Sequence, residues 1–591
     1  MSDLKKLQEV KTLREFSVLI GCDEPAFFGL LNYLLYKIPY NSKYVEFFIP
    51  KKNGGKRKIC APIRPLKIIQ KRLAVLLYNC FIEIESQGSI KGVLAHGFRK
   101  DYSIITNAGK HKNRRYVFNV DLKDFFQTIN FGRVRGYFIK NNYFKLSPDI
   151  ATIIAQIACH NNGLPQGSPC SPIISLLIGH LLDVRMVSLA KKNNCTYSRY
   201  VDDLTFSTNK KDFPESMAYK SFDADDVWVC GKTLKNEIER AGFEINENKI
   251  SFQYQSGRQI ATGLVVNKKV NIRKEYYRQA RSMCRSLFSV NYFYVWIAID
   301  FDKIYIIDKA LLRQQGQLLF WKKFVYAISK EKVKIRGQMS QLEGMLNFIF
   351  YVKSQCTESY DEKGCDPKGI KKLYINYLFY KYFFALEKPL IVCEGKTDVI
   401  YLRCALRRLS DRYGSLVNRK NNIFTYQINF LHSSKNIKEL LGLLTGTGDM
   451  AKFVHNYNRY VSVFKGEGKK YPVIILLDDD KGARQFKKNN FIAYPFKSCG
   501  DNLYIAPIPS KNGEKGTEIE DFFDINVLET KVDGKTFNRN NKEGDHLSHY
   551  GKTIFAEKVI KENEKTIDFS GFEVILSQFV AVINDYANKI K

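Results

Sequence analysis

Residues 199–207 read RYVDDLTFS. Asp202 and Asp203 stand side by side between Tyr200-Val201 and Leu204-Thr205-Phe206, flanks with the aromatic and β-branched character of strands. Neighbouring side chains of an extended strand point to opposite faces, so the two carboxylates share a task only if the chain turns sharply between them. The stretch therefore predicts a hairpin tip that presents two acids to metal. Phosphoryl transfer to a growing nucleic-acid chain uses two metal ions about 3.5–4 Å apart, one for the attacking hydroxyl and one for the leaving pyrophosphate. Convergent carboxylates suited to Mg²⁺ hold them. A third acid is expected at another strand end, and RYVFNVDLKDFF at 115–126 supplies Asp121 where a hydrophobic strand runs into a turn.

The chain is long, with 591 residues, so three or four domains are expected rather than one core. Its net charge is +33, and 61 of its 93 basic residues against 34 of its 60 acidic ones precede residue 387. A positive field concentrated in the first part suits a polyanion, and nucleic acid is the expected one. Thirteen cysteines occur without a CxxC pair, which reads as reduced thiols with neither a disulfide framework nor a zinc site. MSDLKKLQEV has no apolar signal core, and no uninterrupted apolar run approaches the roughly 18 residues of a membrane span. A cytoplasmic protein without a membrane partner is expected.

Along the chain, KYVEFFIPKKNGGKRKICAPIRPLK predicts two strands around an Asn-Gly-Gly turn and then a helix from about Leu66. An apolar helix is expected from about Ser168 to Val187, after a Pro-Gln-Gly loop. KNEIERAGFEINENKISFQ reads as helix, turn and strand, ATGLVVNKKVNI as a hairpin, and 274–350 as basic helix. Residues 353–369 form the best linker, being polar with Gly and Pro. Beyond the aromatic helix LYINYLFYKYFF the texture becomes α/β: PLIVCEGKTDVIYL is strand, short loop and helix, and YPVIILLDDDKGA is a second buried strand ending in acids.

Asp121, the LPQGSPCSP loop at 164–172, the YVDD tip at 200–203 and the AGF…NENK segment at 241–249, in that order, resemble the palm of reverse transcriptases. That resemblance implies that Asp121, Asp202 and Asp203 are the catalytic metal ligands for two Mg²⁺ ions. It implies that Phe126 lies beneath the sugar of the incoming dNTP, that Gln166 and Gly167 contact nucleotide and template, and that Lys249 serves the leaving pyrophosphate. Lys52 and Arg57 resemble the triphosphate clamp of the fingers, where a guanidinium fork fits phosphate oxygens. AHGFRKDYSIITNAGKH at 95–111, with Asn107, Ala108 and His111, resembles the segment of retron reverse transcriptases that carries an NAxxH signature. Ala261-Thr262-Gly263 stands where those enzymes usually have Val-Thr-Gly. Asn107, His111, Thr262, Lys268, Lys269 and Arg273 are the expected RNA contacts. Retron enzymes copy a structured non-coding RNA from an internal 2'-hydroxyl and leave a branched RNA-linked DNA, msDNA; both molecules are expected partners.

The remaining chain resembles a TOPRIM domain: Glu394-Gly395 turns out of one strand, and Asp478 and Asp480 end a later one, with Asp479 as an alternate. Acids at the carboxyl ends of buried strands sit where α/β folds bind ligands. The resemblance implies that Glu394, Asp478 and Asp480 are catalytic, that these three and Glu520 bind one or two Mg²⁺, and that an unidentified nucleic acid is cut. The expected architecture is an α+β right-hand polymerase with fingers, palm and mainly helical thumb, followed by an α/β TOPRIM domain with a mostly parallel sheet. Expected boundaries are 1–267 for fingers and palm, 268–352 for an RNA-binding thumb, 353–386 for linker and connecting helix, and 387–591 for the nuclease-like domain. Self-assembly into a homo-oligomer belongs to the same expectation. Two other readings stand beside the retron one: a group II intron-like or protein-primed defence reverse transcriptase, and a non-polymerising RNA-binding scaffold.

Overall fold

In the computed structural model the YVDD stretch is a two-residue hairpin turn. Strands Thr196–Tyr200 and Asp203–Thr208 pair antiparallel with Tyr200 opposite Asp203. The structure describes residues 2–21, 24–50, 56–87, 94–221, 227–298, 325–329, 332–356, 368–421, 423–431, 434–443, 447–478, 486, 491–510, 517–539 and 548–591. Two compact units divide the chain, Met1–Tyr277 with Tyr351–Tyr360, and Arg278–Phe350 with Asp361–Lys591. One boundary between them falls inside the helix Lys274–Val290.

The first unit is built on an antiparallel sheet whose central strand is Tyr116–Lys123. Asp203–Thr208 flanks it on one side; Glu244–Ile245 and Ser251–Tyr254 pair with successive parts of its other edge. Val117, Phe118, Val120 and Leu122 are all buried, so this strand is covered on both faces and reads as a nearly continuous apolar run. The helix Ser171–Lys192, with Pro172 in its first turn, joins the same core through Ile173, Ile174, Leu177, Leu182 and Met186. By length and composition alone it would cross a membrane, yet 67% of its apolar window is buried inside the chain. It is the core helix of this unit. The N-terminal hairpin, Tyr44–Pro50 with Lys56–Pro62, and the helix Arg64–Ser86 follow the expected order.

In the second unit the stretch expected as basic helix departs from expectation. Tyr294–Ala298, Lys332–Arg336 and Val325–Ser329 form a three-stranded antiparallel sheet between the helices Lys274–Val290 and Met339–Cys356. KVKIR alternates charged and β-branched residues with period two, and YFYVWIA is aromatic and β-branched, so strand propensity prevails. The mainly helical thumb expected here therefore carries a sheet between its helices in sequence, and the basic-helix reading of 274–350 is corrected to that extent. The aromatic helix Gly369–Phe379 and its continuation Tyr380–Phe384 pack Phe379 on Tyr460 with ring centroids 4.3 Å apart and Phe384 on Phe464 at 4.8 Å. Asn429–Phe430, Leu390–Val392, Val473–Leu477 and Leu503–Pro507 run parallel in one sheet, in that order, with Lys497–Ser498 antiparallel at the edge. Leu390 lies opposite Val473, which brings the carboxyl ends of those two strands together.

Two candidate active sites built from strand-end carboxylates

Asp121 faces Asp203 in register across the central pair of strands. The Leu122 amide donates to the Asp202 carbonyl at 3.0 Å, so the central strand is tied to the hairpin tip at the acids themselves. Burial pushes the Asp203 carboxyl up to about 7, with the negative charges of Asp202 and Asp121 adding to it. Burial also raises Asp202, with Asp121 adding, while Lys249 and Arg57 pull it back. Three carboxylates this crowded and this poorly hydrated attract a compact cation, and hard oxygen donors fit Mg²⁺.

The tip's shape has an identifiable cause. Val201 has φ of +61°, an unusual value for a β-branched residue, at a cost of about 1–3 kcal/mol. Arg199, 2% exposed, donates to the Val201 carbonyl at 2.9 Å and to both oxygens of buried Asp183 at 2.7 Å. Tyr197 donates to Asp183 at 2.8 Å. Such a pair is costly to break from one side, about 3–5 kcal/mol, because the other charge stays buried. The segment preceding residue 98 runs beside the strand: His96 donates its amide to the Arg199 carbonyl, and the Arg199 amide donates to Leu94, both at 2.8 Å. Gly97 then sits against Val201 where a Cβ would lie 2.7 Å from its Cγ2.

The other expected polymerase residues divide. Phe125 is buried, whereas Phe126 is only half-buried, with its ring centroid 6.2 Å from that of Phe98. The Gln166 carbonyl accepts from the Cys60 amide at 2.8 Å. Gly167 has φ of +125°, and a Cβ there would meet the Cys60 carbonyl at 2.7 Å. Arg57 is exposed on the hairpin; Lys52 lies outside the described residues. Lys249 donates to both oxygens of Asp121 at 2.9 Å, and that hydrogen bond raises its pKa. Asn246, not singled out from sequence, donates to Asp121 at 3.1 Å.

Of the expected RNA contacts, Lys268, Lys269 and Arg273 are exposed. Thr262 is half-buried at φ +46° and donates to the Ile104 carbonyl at 3.2 Å. Asn107 and His111 are both fully buried, which fits a role in local structure rather than RNA contact. His111 hydrogen-bonds Ser207 at 2.7 Å and Ser198 at 2.8 Å, and Asn107 accepts from Ser198 at 2.8 Å. Their side chains hold the strands that flank the tip and present no surface to RNA.

A second set of acids gathers in the C-terminal unit. The Asp478 amide donates to Glu394 Oε1 at 3.3 Å, across the adjacent ends of two parallel strands. Burial, then the charges of Asp398, Glu394 and Glu520, push Asp478 up to about 8. Glu520 is fully buried and raised by that burial, while Lys552 donates to it at 3.1 Å and to Glu518 at 3.0 Å. Asp398 accepts from the Gly395 amide at 2.8 Å at the start of the helix Lys396–Arg408, and a Cβ on Gly395 would meet Asp398 Oδ1 at 2.7 Å. This donor set too is carboxylate oxygen and suits Mg²⁺. Asp480, with Asp479, lies outside the described residues. Sequence reading missed Asp398 and Lys552. Asp398 was within reach, four residues after Glu394 in EGKTD, whereas Lys552 has no local signal.

A profile of the family described as reverse transcriptase (RNA-dependent DNA polymerase) matches residues 49–278. The retron Mx65 reverse transcriptase of Myxococcus xanthus is 33% identical over 258 residues, 41% of this chain and 55% of that protein. The retron Ec86 reverse transcriptase of Escherichia coli is 32% identical over 261 residues, 44% of this chain and 73% of that protein. The chain spans about half the length of the Myxococcus relatives it matches. Among solved structures, an apo telomerase from Candida tropicalis truncated from its C-terminal domain aligns with a TM-score of 0.27 and 14% identity, covering 40% of this chain and 56% of that one.

Proposed function

Because the chain belongs to the retron reverse transcriptases, we propose that it is an RNA-directed DNA polymerase that copies a structured partner RNA from a 2'-hydroxyl and leaves branched, RNA-linked msDNA. The observation that carries this reading is the register of Asp121 against Asp203 with Asp202 on the adjoining turn. Asp121, Asp202 and Asp203 would hold Mg²⁺, which supplies activation of a hydroxyl nucleophile and neutralisation of phosphate charge when bound. The chain's own groups do the rest. Arg57 brings a guanidinium to the triphosphate. Phe126 offers bulk at the sugar. Gly167 lets the loop approach the hairpin, and Lys249 keeps a proton beside Asp121 for the departing pyrophosphate. Lys268, Lys269 and Arg273 contact RNA phosphates, which makes binding fall steeply with salt.

The C-terminal unit is, on the same proposal, a TOPRIM nuclease. Glu394, Asp478 and Glu520, together with Asp480, would hold its Mg²⁺. Parallel strands that end in half-buried acids, close to the fully buried Glu520, support this reading. The msDNA made by the polymerase stays bound and restrains the nuclease until phage infection disturbs the complex, in the bacterial cytoplasm. Fusion favours restraint in cis, because one chain keeps both sites at high effective concentration.

The test is to purify the protein from cells carrying its neighbouring DNA and treat the bound nucleic acid with RNase and a debranching enzyme. An Asp202→Ala, Asp203→Ala protein serves as control. A small DNA joined to RNA through a 2' linkage, absent from the control, is expected. Unbranched DNA would replace the retron priming with another kind, and RNA alone in both samples would make the chain a scaffold.

A further inference from the structure

Spacing along the chain argues against a zinc site, yet the fold assembles one type of donor set that spacing does not reveal. Glu46 and Cys60 are directly opposed across the N-terminal hairpin, which places their side chains on one face. His160 arrives from the turn after the helix Pro148–Ala158. One ligand atom from each lies within 4.8 Å of the others. Cys60 Sγ is 3.6 Å from Glu46 Oε1, and His160 Nε2 is 3.6 Å from the same oxygen. Tetrahedral zinc, with bonds of about 2.0–2.3 Å, separates its ligand atoms by about 3.3–3.5 Å, so small adjustments bring these three onto one ion.

The surroundings fit. Cys60 is 9% exposed and His160 6%, while the Glu46 side chain is 38% exposed and leaves a fourth position for water. The His160 ring stacks on Tyr44 at 4.2 Å between centroids, which fixes its plane. Lys58 takes Glu46 Oε2 at 2.8 Å, leaving Oε1 directed at the thiol and the imidazole. Thiolate and carboxylate together balance a dication, and the mixture of sulfur, nitrogen and oxygen selects Zn²⁺ over Mg²⁺.

We propose that Glu46, Cys60 and His160 form a Zn²⁺-type site that fixes the N-terminal hairpin to the loop bearing Gln166 and Gly167. Cys60 is the joint: its amide donates to the Gln166 carbonyl at 2.8 Å, and its own carbonyl is the atom that Gly167 leaves room for. Binding involves no redox change. Zn²⁺ replaces the thiol proton, which leaves to solvent.

The test is optical and independent of whether the chain polymerises. Metal-depleted full-length protein is titrated with Co²⁺ in excess Mg²⁺, which occupies the carboxylate sites. Visible d–d bands of tetrahedral cobalt and a thiolate charge-transfer band are expected to saturate at one equivalent and to vanish when Zn²⁺ is added. Cys60→Ser should lack the charge-transfer band, whereas Asp202→Asn, Asp203→Asn keeps it. Glu46→Gln should weaken Co²⁺ binding at least about tenfold. Lys58→Met should tighten it, since Glu46 then loses a competing cation. Equal melting temperatures of Cys60→Ser and wild type without metal, with only wild type gaining on Zn²⁺ addition, separate a lost ligand from a damaged fold. No thiolate band in wild type, or an unchanged band in Cys60→Ser, overturns the proposal.

Discussion

A methyl group on Gly97 would lie 2.7 Å from Val201 Cγ2 and 2.9 Å from the Val201 nitrogen. The second atom is backbone of the turn that carries Asp202, so it does not swing aside as the end of a long side chain would. Gly97→Ala is expected to shift the tip and lower the rate of DNA synthesis about 100-fold at saturating dNTP, the scale of a displacement near 1 Å in a catalytic group. Single-turnover primer extension measures it, and a wild-type rate would mean that the tip adapts. Asp202 and Asp203 were legible because their signal is local, two acids between strand-forming flanks. Gly97 was not, because the need for glycine is created by a residue about a hundred positions later. Asp398 was hidden for another reason: an acid in the first turn of a helix also complements the helix dipole, so its presence there is unremarkable until burial shows it beside Asp478.

The short helix Ile104–Gly109 and the strands of the tip are joined through one imidazole. His111 bridges Ser198 on one strand and Ser207 on the next, and burial lowers its pKa to about 3; His96, bonded to Thr106, is lowered to about 4. Both stay neutral in the folded chain at a pH where the unfolded chain takes up a proton. Stability from this source is present above about pH 6.5 and is lost as pH falls toward 4, by about 1.4 kcal/mol per pH unit for each histidine. Carboxyls raised by burial act in the opposite direction, so the comparison is with His111→Gln: its urea stability should lose about one proton's worth of pH dependence between pH 6 and 4.5. An identical slope would show that His111 does not carry it. The asparagine-histidine signature was readable from the sequence, but its task was not, because a buried network between strands and an RNA contact draw on the same polar residues. The strand KVKIR is ambiguous for a similar reason: its lysines and arginine suit a basic helix as well as a strand, and five residues are too short a run for period-two alternation to decide between them.

The two compact units each carry their own acids, Asp121, Asp202 and Asp203 in one, Glu394, Asp478 and Glu520 in the other. The order of the palm motifs was legible across some 130 residues, because each motif is a strand end or a turn. The packing of the residues after the palm was not, since aromatics such as Phe288 and Phe464, with centroids 5.1 Å apart, are remote in sequence. If each acid cluster works alone, Asp203→Asn should reduce DNA synthesis at least about 100-fold while leaving the C-terminal site intact, and Glu394→Gln should do the reverse. The proposed restraint adds a stronger expectation. A chain that makes no msDNA has nothing to hold its nuclease, so Asp203→Asn should slow the growth of its host, and adding Glu394→Gln should restore it. Growth curves with matched expression, together with msDNA extraction, measure both halves. Loss of msDNA in Glu394→Gln would tie the two sites into one machine, whereas normal growth of Asp203→Asn cells would remove msDNA as the restraint and leave the polymerase assignment untouched.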